Sequence, residues 1–110
     1  MKQYCLALDL KNDVALIAEY EAYHRAVWPQ IKTSIIEAGI LQMEIYRTGN
    51  RLFMIIQADE SFSFEKKSAA DEANEKVQQW EQLMWKYQQA LPGSIPGEKW
   101  VITEKIFSLY

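Results

Sequence analysis

The chain has one histidine, His24, in the stretch EYEAYHRAVWP, four residues after Tyr20 and four residues before Trp28. Residues spaced by four lie on the same face of a helix, so these three side chains would share one surface. An imidazole titrates near pH 6.5 and can give or take a proton at neutral pH. The spacing fits a proton-transfer residue among aromatic rings as well as it fits a core histidine bonded to a backbone carbonyl. Tyr20 is likewise either a site residue or a core or interface tyrosine.

A second candidate, Trp80, lies in a later segment whose apolar residues recur with helical spacing. An indole packs well against the apolar C–H face of a sugar ring, so Tyr20, His24 and Trp80 would suit a carbohydrate pocket. For Met84, one turn further on, simple core packing is the preferred interpretation. Glu81 follows Trp80 directly. Most helical glutamates are solvated, but one at the edge of such a pocket could bind hydroxyls or act as a second proton-transfer group.

The composition excludes several classes of function. The 110 residues carry a net charge of −3, and their basic residues form no cluster of the kind that nucleic acid or an anionic membrane requires. No segment approaches the roughly 20 consecutive apolar residues of a membrane span. The single cysteine, Cys5, and the single histidine cannot build a usual zinc site, so we expect neither a metal nor a cofactor. The lone cysteine and the charged N-terminal stretch predict a cytoplasmic protein.

The hydrophobic pattern predicts one domain over residues 1–110, with four strands and two helical regions. The strands are expected over Tyr4–Leu10, Leu41–Arg47, Arg51–Ala58 and within the last segment, residues 98–109. A helix capped by Asp13 would run to Gly39, with a kink or a loosened turn at Pro29, just after His24. The second helical region would begin with a broken, polar half and continue regularly from Val77 to Leu91.

This β-α-β-β-α-β order predicts an α+β, ferredoxin-like fold, in which a four-stranded antiparallel sheet carries both helices on one face. The third strand contains LFMII, which is apolar on both sides, and the last strand also alternates between two apolar faces. Two helices cover only one of these faces. The other face needs a second partner, most economically another copy of the chain, so the sequence predicts a homodimer with two sheets packed face to face.

Three segments, EYEAYHRAVWP, EIYRTGNRLFMII and VQQWEQLM, resemble the L-rhamnose mutarotase family, and the match covers nearly the whole chain in order. The spacing of tyrosine, histidine, tryptophan and proline in the first segment is its most specific part. The resemblance implies a ferredoxin-like homodimer of the dimeric α/β barrel type. It also implies an enzyme that interconverts the α and β anomers of a deoxyhexose sugar without a metal or a cofactor.

The resemblance further implies roles for individual residues. The proton-donating histidine of the family corresponds to His24, and a sugar-contacting tyrosine corresponds to Tyr20. A second sugar-contacting tyrosine falls on Met43, and a tryptophan pair falls on Trp80 and Glu81. Two positions of the pocket wall therefore differ from the family pattern. These differences make L-fucose, or a related 6-deoxy sugar, a serious competitor to L-rhamnose as the substrate, while the reaction itself is expected to stay the same.

Two other classes of function fit the same pattern. The dimeric α/β barrel also hosts cofactor-independent monooxygenases and haem-handling proteins, in which His24 would be an axial ligand. A non-catalytic dimer could instead bind a metabolite in the same pocket without moving a proton. A Soret band after the addition of haemin would identify a haem protein. Anomer exchange no faster than in the absence of protein would identify a binding module.

Overall fold

The computed structural model describes all 110 residues and orders the elements along the chain as the hydrophobic pattern predicts, with more breaks. The strands are β1 (Lys2–Leu10), β2 (Ile40–Thr48), β3 (Arg51–Ala58), β4 (Gln88–Gln89) and β5 (Val101–Ile102). The helices are α1 (Val14–His24), α2 (Pro29–Glu37), α3 (Phe64–Glu72) and α4 (Glu75–Met84). None of these helices combines the length and the apolar character needed to cross a membrane.

The sheet is antiparallel, and its strand order is β2-β3-β1-β4, with β5 also paired to β1. A tight turn at Gly49, where φ is +58°, joins β2 to β3. Leu8 of β1 lies opposite Leu52 of β3, and both are buried. Because side chains alternate along a strand, one face of β1 and β3 supplies these leucines to the core, and the opposite face carries Phe53 and Ile55. The predicted α+β architecture is confirmed.

The first helical region differs from the prediction because it forms two helices and not one kinked helix. Asp13 caps α1 as expected, and its Oδ1 accepts a hydrogen bond of 3.0 Å from the backbone N–H of Leu16. The chain then leaves the helical conformation before Pro29, and Trp28 has φ −57° and ψ 136°. Proline disfavours a helical residue before it but suits the first turn of a new helix, so it starts α2. Gly39, with φ +94°, follows the end of α2.

The second helical region also forms two helices. Ser63 and Asn74 cap α3 and α4 through their side-chain oxygens, so the polar half is helical in its own right. The prediction that α4 continues to Leu91 is wrong, because the helix ends at Met84. The chain turns back so that the carbonyl of Tyr87 accepts a hydrogen bond of 2.8 Å from the N–H of Lys11. Residues 88 and 89 thus pair with the free edge of β1 and do not continue α4.

The last strand is much shorter than predicted. Only Val101 and Ile102 pair with β1, and Thr103 adds two hydrogen bonds to the carbonyl of Cys5, of 2.8 Å from its N–H and 2.7 Å from its hydroxyl. The chain beyond Thr103 forms no regular element. Its large apolar side chains are exposed, namely Ile106, Phe107, Leu109 and Tyr110. The strand stops where the remaining segment has no partner within its own chain.

The core consists of two hydrophobic clusters between the sheet and the helices. The larger cluster joins α1, α2 and α4 to β1 and β3, and its buried members are Leu10, Tyr20, Ile31, Leu52, Val77, Trp80, Met84 and Tyr87. The smaller cluster lies near the start of β2, and its buried members are Leu6, Ile40, Ile56, Ala58 and Phe62. Met84 is a core residue, as preferred above. The larger cluster contains two of the predicted site residues, Tyr20 and Trp80.

Candidate active site

His24 is the last residue of α1 and is half-buried. Its Nδ1 lies 2.8 Å from the backbone carbonyl oxygen of Tyr20, one turn earlier. A carbonyl oxygen can only accept, so Nδ1 must carry the proton and donate it. In the neutral ring, Nε2 is then the unprotonated nitrogen, and it makes no hydrogen bond to the protein. Nε2 is therefore the atom of His24 that can take or give a proton.

Burial lowers the pKa of His24 below 6.5, and the hydrogen bond to the carbonyl of Tyr20 opposes this shift with a smaller effect. The cause is that an apolar environment disfavours the charged imidazolium. At neutral pH the ring is consequently uncharged and able to accept a proton. Once protonated, it is a stronger acid than a histidine in water and returns the proton readily.

Tyr20 lies beside His24 on the same face of α1. The two ring centroids are 4.4 Å apart with an interplanar angle of 35°. The phenol is buried, and its hydroxyl accepts a hydrogen bond of 3.3 Å from Nε2 of Gln88. Burial raises the pKa of Tyr20 to about 12, with the Gln88 hydrogen bond acting in the opposite direction. The hydroxyl therefore stays protonated throughout the neutral range, which makes it a hydrogen-bond donor.

Trp80 of α4 forms the aromatic wall next to these two rings. Its indole meets the imidazole of His24 edge-on, with centroids 5.7 Å apart and an angle of 66°. It also packs edge-to-face against Trp28 and Tyr23, with ring centroids 5.1 Å and 6.3 Å away, respectively. The structure thus brings together three of the five predicted site residues, Tyr20, His24 and Trp80.

A surface hollow of about 410 Å³ opens beside this wall. Its lining residues are Glu19, Ala22, Tyr23, Ala26, Trp28 and Tyr87. Tyr23 and Trp28 belong both to the hollow and to the ring cluster around Trp80, although His24 does not line the hollow itself. Burial, reinforced by the negative charge of Glu19, raises the pKa of Tyr87. The volume falls within the range typical of small-molecule sites.

The other two predicted site residues lie away from His24. Met43 of β2 packs against the smaller cluster, two residues before Ile45, which packs against the larger one. Glu81 follows Trp80 on α4, is partly exposed, and makes neither a side-chain hydrogen bond nor an ion pair. Met43 therefore belongs to a different part of the core from Tyr20 and Trp80, and Glu81 shares with the site only its position next to Trp80 in the sequence.

Several residues around the site were not assigned a role from the sequence. Trp28 was placed on the surface of Tyr20 and His24 but not in the pocket, and Tyr23 was not considered, although the aromatic character of both was a signal for the wall. Tyr87 belongs to the apolar repeat that was assigned to α4. Gln88 had no signal at all, because a glutamine next to a second glutamine looks like surface sequence.

No group of three or more His, Cys, Asp and Glu side chains is arranged to hold a metal ion.

Comparison with known proteins gives three informative matches. A family model described as L-rhamnose mutarotase matches residues 3–109. An L-fucose mutarotase of Xanthomonas campestris pv. campestris is 47% identical over 111 residues, covering 99% of this chain and 89% of that protein. The crystal structure of an L-rhamnose mutarotase from Formosa agariphila has a TM-score of 0.73 at 19% identity, with 100% of both chains covered.

The same fold also occurs in a protein with different chemistry. A tetracenomycin F2 cyclase from Streptomyces glaucescens, a type-II polyketide cyclase, has a TM-score of 0.68 at 14% identity, covering 100% of this chain and 98% of that one. Both solved structures confirm the predicted ferredoxin-like fold of the dimeric barrel type. Because one fold hosts both reactions, the fold alone does not assign the activity. The family match and the 47% identity carry that assignment.

Proposed function

The chain belongs to the L-rhamnose mutarotase family and is a sugar mutarotase, and we propose that its substrate is a 6-deoxyhexose, with L-fucose preferred to L-rhamnose. The relative named for L-fucose, 47% identical over almost the whole chain, supports this order. Two departures from the family pattern, Met43 and Glu81, are consistent with a pocket wall altered for a different arrangement of hydroxyls.

Mutarotation needs only proton transfers. The anomeric hydroxyl of the cyclic sugar loses its proton, the bond between the anomeric carbon and the ring oxygen breaks, and the ring oxygen gains a proton. The open-chain aldehyde rotates about the adjacent carbon–carbon bond. The hydroxyl formed from the ring oxygen then attacks the other face of the carbonyl. The protons return in the reverse order, so nothing is oxidised or reduced. General acid–base catalysis of this kind typically accelerates a reaction by about 10² to 10⁴.

The observation that carries the catalytic assignment is the hydrogen bond between Nδ1 of His24 and the carbonyl of Tyr20. It leaves Nε2 of His24 as the nitrogen that exchanges a proton with the sugar. The lowered pKa keeps His24 neutral at pH 7 and makes its protonated form a good donor when the ring recloses. Tyr20, with its hydroxyl protonated, would donate a hydrogen bond to a second sugar oxygen.

Aromatic rings would hold the sugar against these two groups. Trp80 offers an indole next to His24, and the hollow beside it adds Tyr23 and Trp28. Rings of this kind pack against the C–H face of a pyranose, and the 6-methyl group of a deoxyhexose adds apolar surface. We assign substrate contacts to Tyr20 and Trp80 on this geometry. The assignments of Met43 and Glu81 rest on the resemblance alone.

We propose that the protein is a homodimer in which the helix-free face of the sheet is covered by a second copy. Phe53 and Ile55 lie on that face. The chain beyond β5 adds exposed apolar side chains, with Ile106 at 92%, Phe107 at 76% and Leu109 at 73% exposure. Surface of this kind, continuous with an edge strand, supports pairing with another copy of the chain.

We also propose that the protein acts in the cytoplasm on free sugar, without a cofactor. Its one cysteine, Cys5, forms no disulfide, which suits a reducing compartment. The reaction needs no redox partner because both anomers have the same oxidation state. The low net negative charge, −3, gives nucleic acid no electrostatic reason to bind.

Saturation-transfer NMR tests the substrate proposal directly. The exchange of magnetisation between the anomeric protons of the α and β forms is measured for L-fucose, L-rhamnose and D-glucose, with and without the protein. We expect the protein to accelerate exchange most for L-fucose, less for L-rhamnose and least for D-glucose. Acceleration that is equal for all three sugars, or absent for both deoxyhexoses, would contradict the proposal.

A further inference from the structure

Gln88 is a buried polar residue that lies inside the aromatic cluster. It pairs with Leu10 across the β1–β4 ladder, and paired residues point to the same face of a sheet. Its side chain is therefore directed toward the core with Leu10, and the residue is only 6% exposed. Gln89, the next residue, pairs with Asp9 on the opposite face and is exposed. Two consecutive glutamines thus occupy opposite environments.

A primary amide in an apolar cluster is costly unless it is hydrogen-bonded. The Nε2 of Gln88 donates to the hydroxyl oxygen of Tyr20 over 3.3 Å, linking residues 68 positions apart in the sequence. No buried side-chain polar atom of the protein lacks a partner. The amide nitrogen of Gln88 thus has Tyr20 as its acceptor, and Tyr20 is itself in ring contact with His24.

This hydrogen bond has a defined effect on the phenol. A tyrosine hydroxyl has one proton to donate and two lone pairs that can accept. Because Gln88 donates into one lone pair, the hydroxyl keeps its own proton for another acceptor. The amide is the only group in the protein with which the hydroxyl is hydrogen-bonded, so no protein group uses that proton. The O–H is thereby held in place and left free for a ligand oxygen.

We propose that Gln88 is a positioning residue that directs the Tyr20 hydroxyl proton toward the bound sugar. Gln88 touches neither the sugar nor His24 and acts only through Tyr20. This role rests on the proposed function, because the acceptor of the Tyr20 proton is a substrate oxygen. In this proposal the short strand β4 has a role in the site, because the pairing of Gln88 with Leu10 places the amide at the Tyr20 hydroxyl.

A double-mutant cycle tests the proposal. Gln88→Met keeps the size of the side chain but removes the donor, and Gln89→Met is the matched control on the exposed face. With L-fucose at saturation, we expect Gln88→Met to lower the exchange rate by about 3- to 10-fold, the range expected for one neutral hydrogen bond. Gln89→Met should leave the rate unchanged. In a Tyr20→Phe background, Gln88→Met should cause no further loss, because there is no hydroxyl left to direct.

A purely structural role would give a different pattern. Damage to packing would lower the rate by the same factor whether the background is wild type or Tyr20→Phe, and that additivity would overturn the proposal. So would a Gln88→Met variant with the same rate as Gln89→Met. If the wild-type protein fails to accelerate exchange at all, the proposed function fails first and this inference falls with it. The two failures are therefore distinguished by the wild-type rate.

A second measurement covers the case in which Gln88→Met does not fold. The side-chain amide resonances of both glutamines are compared between the wild-type protein and Tyr20→Phe, which retains Gln88. We expect the amide protons of Gln88 to shift when their acceptor is removed, while those of Gln89 stay in place. Unchanged Gln88 resonances would mean that the hydrogen bond to Tyr20 does not exist in solution, which would overturn the proposal.

Discussion

The imidazole Nδ1 of His24 lies 2.8 Å from the backbone carbonyl oxygen of Tyr20, one helical turn earlier. This contact is compatible with both interpretations of the sequence, a core histidine bonded to a carbonyl and a proton-transfer residue. His24 is a histidine bonded to a backbone carbonyl, and the same bond leaves its other nitrogen available for proton transfer. The helix itself fixes the tautomer, because the donor and the acceptor are both part of the last turn of α1.

The pH dependence of stability follows from the lowered pKa of His24. An unfolded histidine titrates near pH 6.5, so between that value and the folded pKa the unfolded state binds more protons than the folded state. The free energy of unfolding should therefore fall as the pH is lowered from about 6.5 through the folded pKa. The free energy of unfolding is measured with urea between pH 8 and 5 for wild type and His24→Asn. The wild type should show this additional loss as the pH is lowered, and the variant should not.

The folded pKa itself can be measured from the His24 ring protons by NMR titration. With a single histidine in the chain, the assignment is immediate. A midpoint at or above pH 6.5 would contradict the burial of the ring beside Tyr20 and Trp80.

Trp80 should contribute strongly to stability. It is 8% exposed and packs against the rings of Tyr23, His24 and Trp28, so Trp80→Ala leaves a large cavity. We expect the free energy of unfolding to fall by about 3–5 kcal/mol, measured by urea unfolding. Trp85→Ala is the matched control, because Trp85 caps the same helix but is 39% exposed. The control should lose about 1 kcal/mol or less. Equal losses would place Trp80 outside the core.

The resemblance to the family aligns Glu81 with the second member of a tryptophan pair, so its role in the pocket is a prediction. As a residue that binds a sugar hydroxyl, Glu81→Gln should weaken affinity by about 10-fold and change the ranking of L-fucose against L-rhamnose, with little effect on the saturated rate. As the base opposite His24, it would instead lower the saturated rate by a much larger factor. We favour the binding role. Glu75→Gln, in the first turn of the same helix, serves as the control. Unchanged affinity, ranking and rate would make Glu81 a solvated surface residue.

The dimer has a direct hydrodynamic test. Sedimentation at micromolar concentration should give about twice the chain mass of 12.9 kDa. The double variant Ile106→Asp, Phe107→Asp should shift the protein toward the monomer, because charged side chains would be buried at the interface. Val14→Asp replaces another exposed apolar residue, at 86% exposure on α1, and should leave the mass unchanged. A monomeric wild-type protein would remove the sheet-to-sheet interface.

Local signals predicted most of the secondary structure. The alternation in β1, the cap at Asp13 and the helix end at Gly39 depend on neighbouring residues, and each is present. The helical spacing of Tyr20 and His24 likewise predicted that their rings would meet. These features need no knowledge of the rest of the chain, because the interactions that form them lie within one or two turns.

Features that depend on distant pairing could not be predicted. The helical repeat continued to Leu91, but the free edge of β1 offered Tyr87 and Gln88 hydrogen bonds that a longer helix would have lost. The hydrogen bond from Gln88 to Tyr20 joins β4 to α1, and no sequence pattern near either residue predicts it. The last strand was overestimated for a related reason, since its β-branched and aromatic sequence has a partner for only two residues within its own chain.

The measurement that tests the account most directly is anomer exchange of L-fucose by wild type and His24→Asn, followed by saturation-transfer NMR at neutral pH. The asparagine side chain keeps a polar group near the Tyr20 carbonyl but cannot shuttle a proton. If His24 transfers the proton, the variant should remain folded by circular dichroism while its exchange rate falls by about 10² to 10⁴ relative to wild type. A folded variant with near-wild-type exchange would mean that His24 is structural and that the proton moves through other groups.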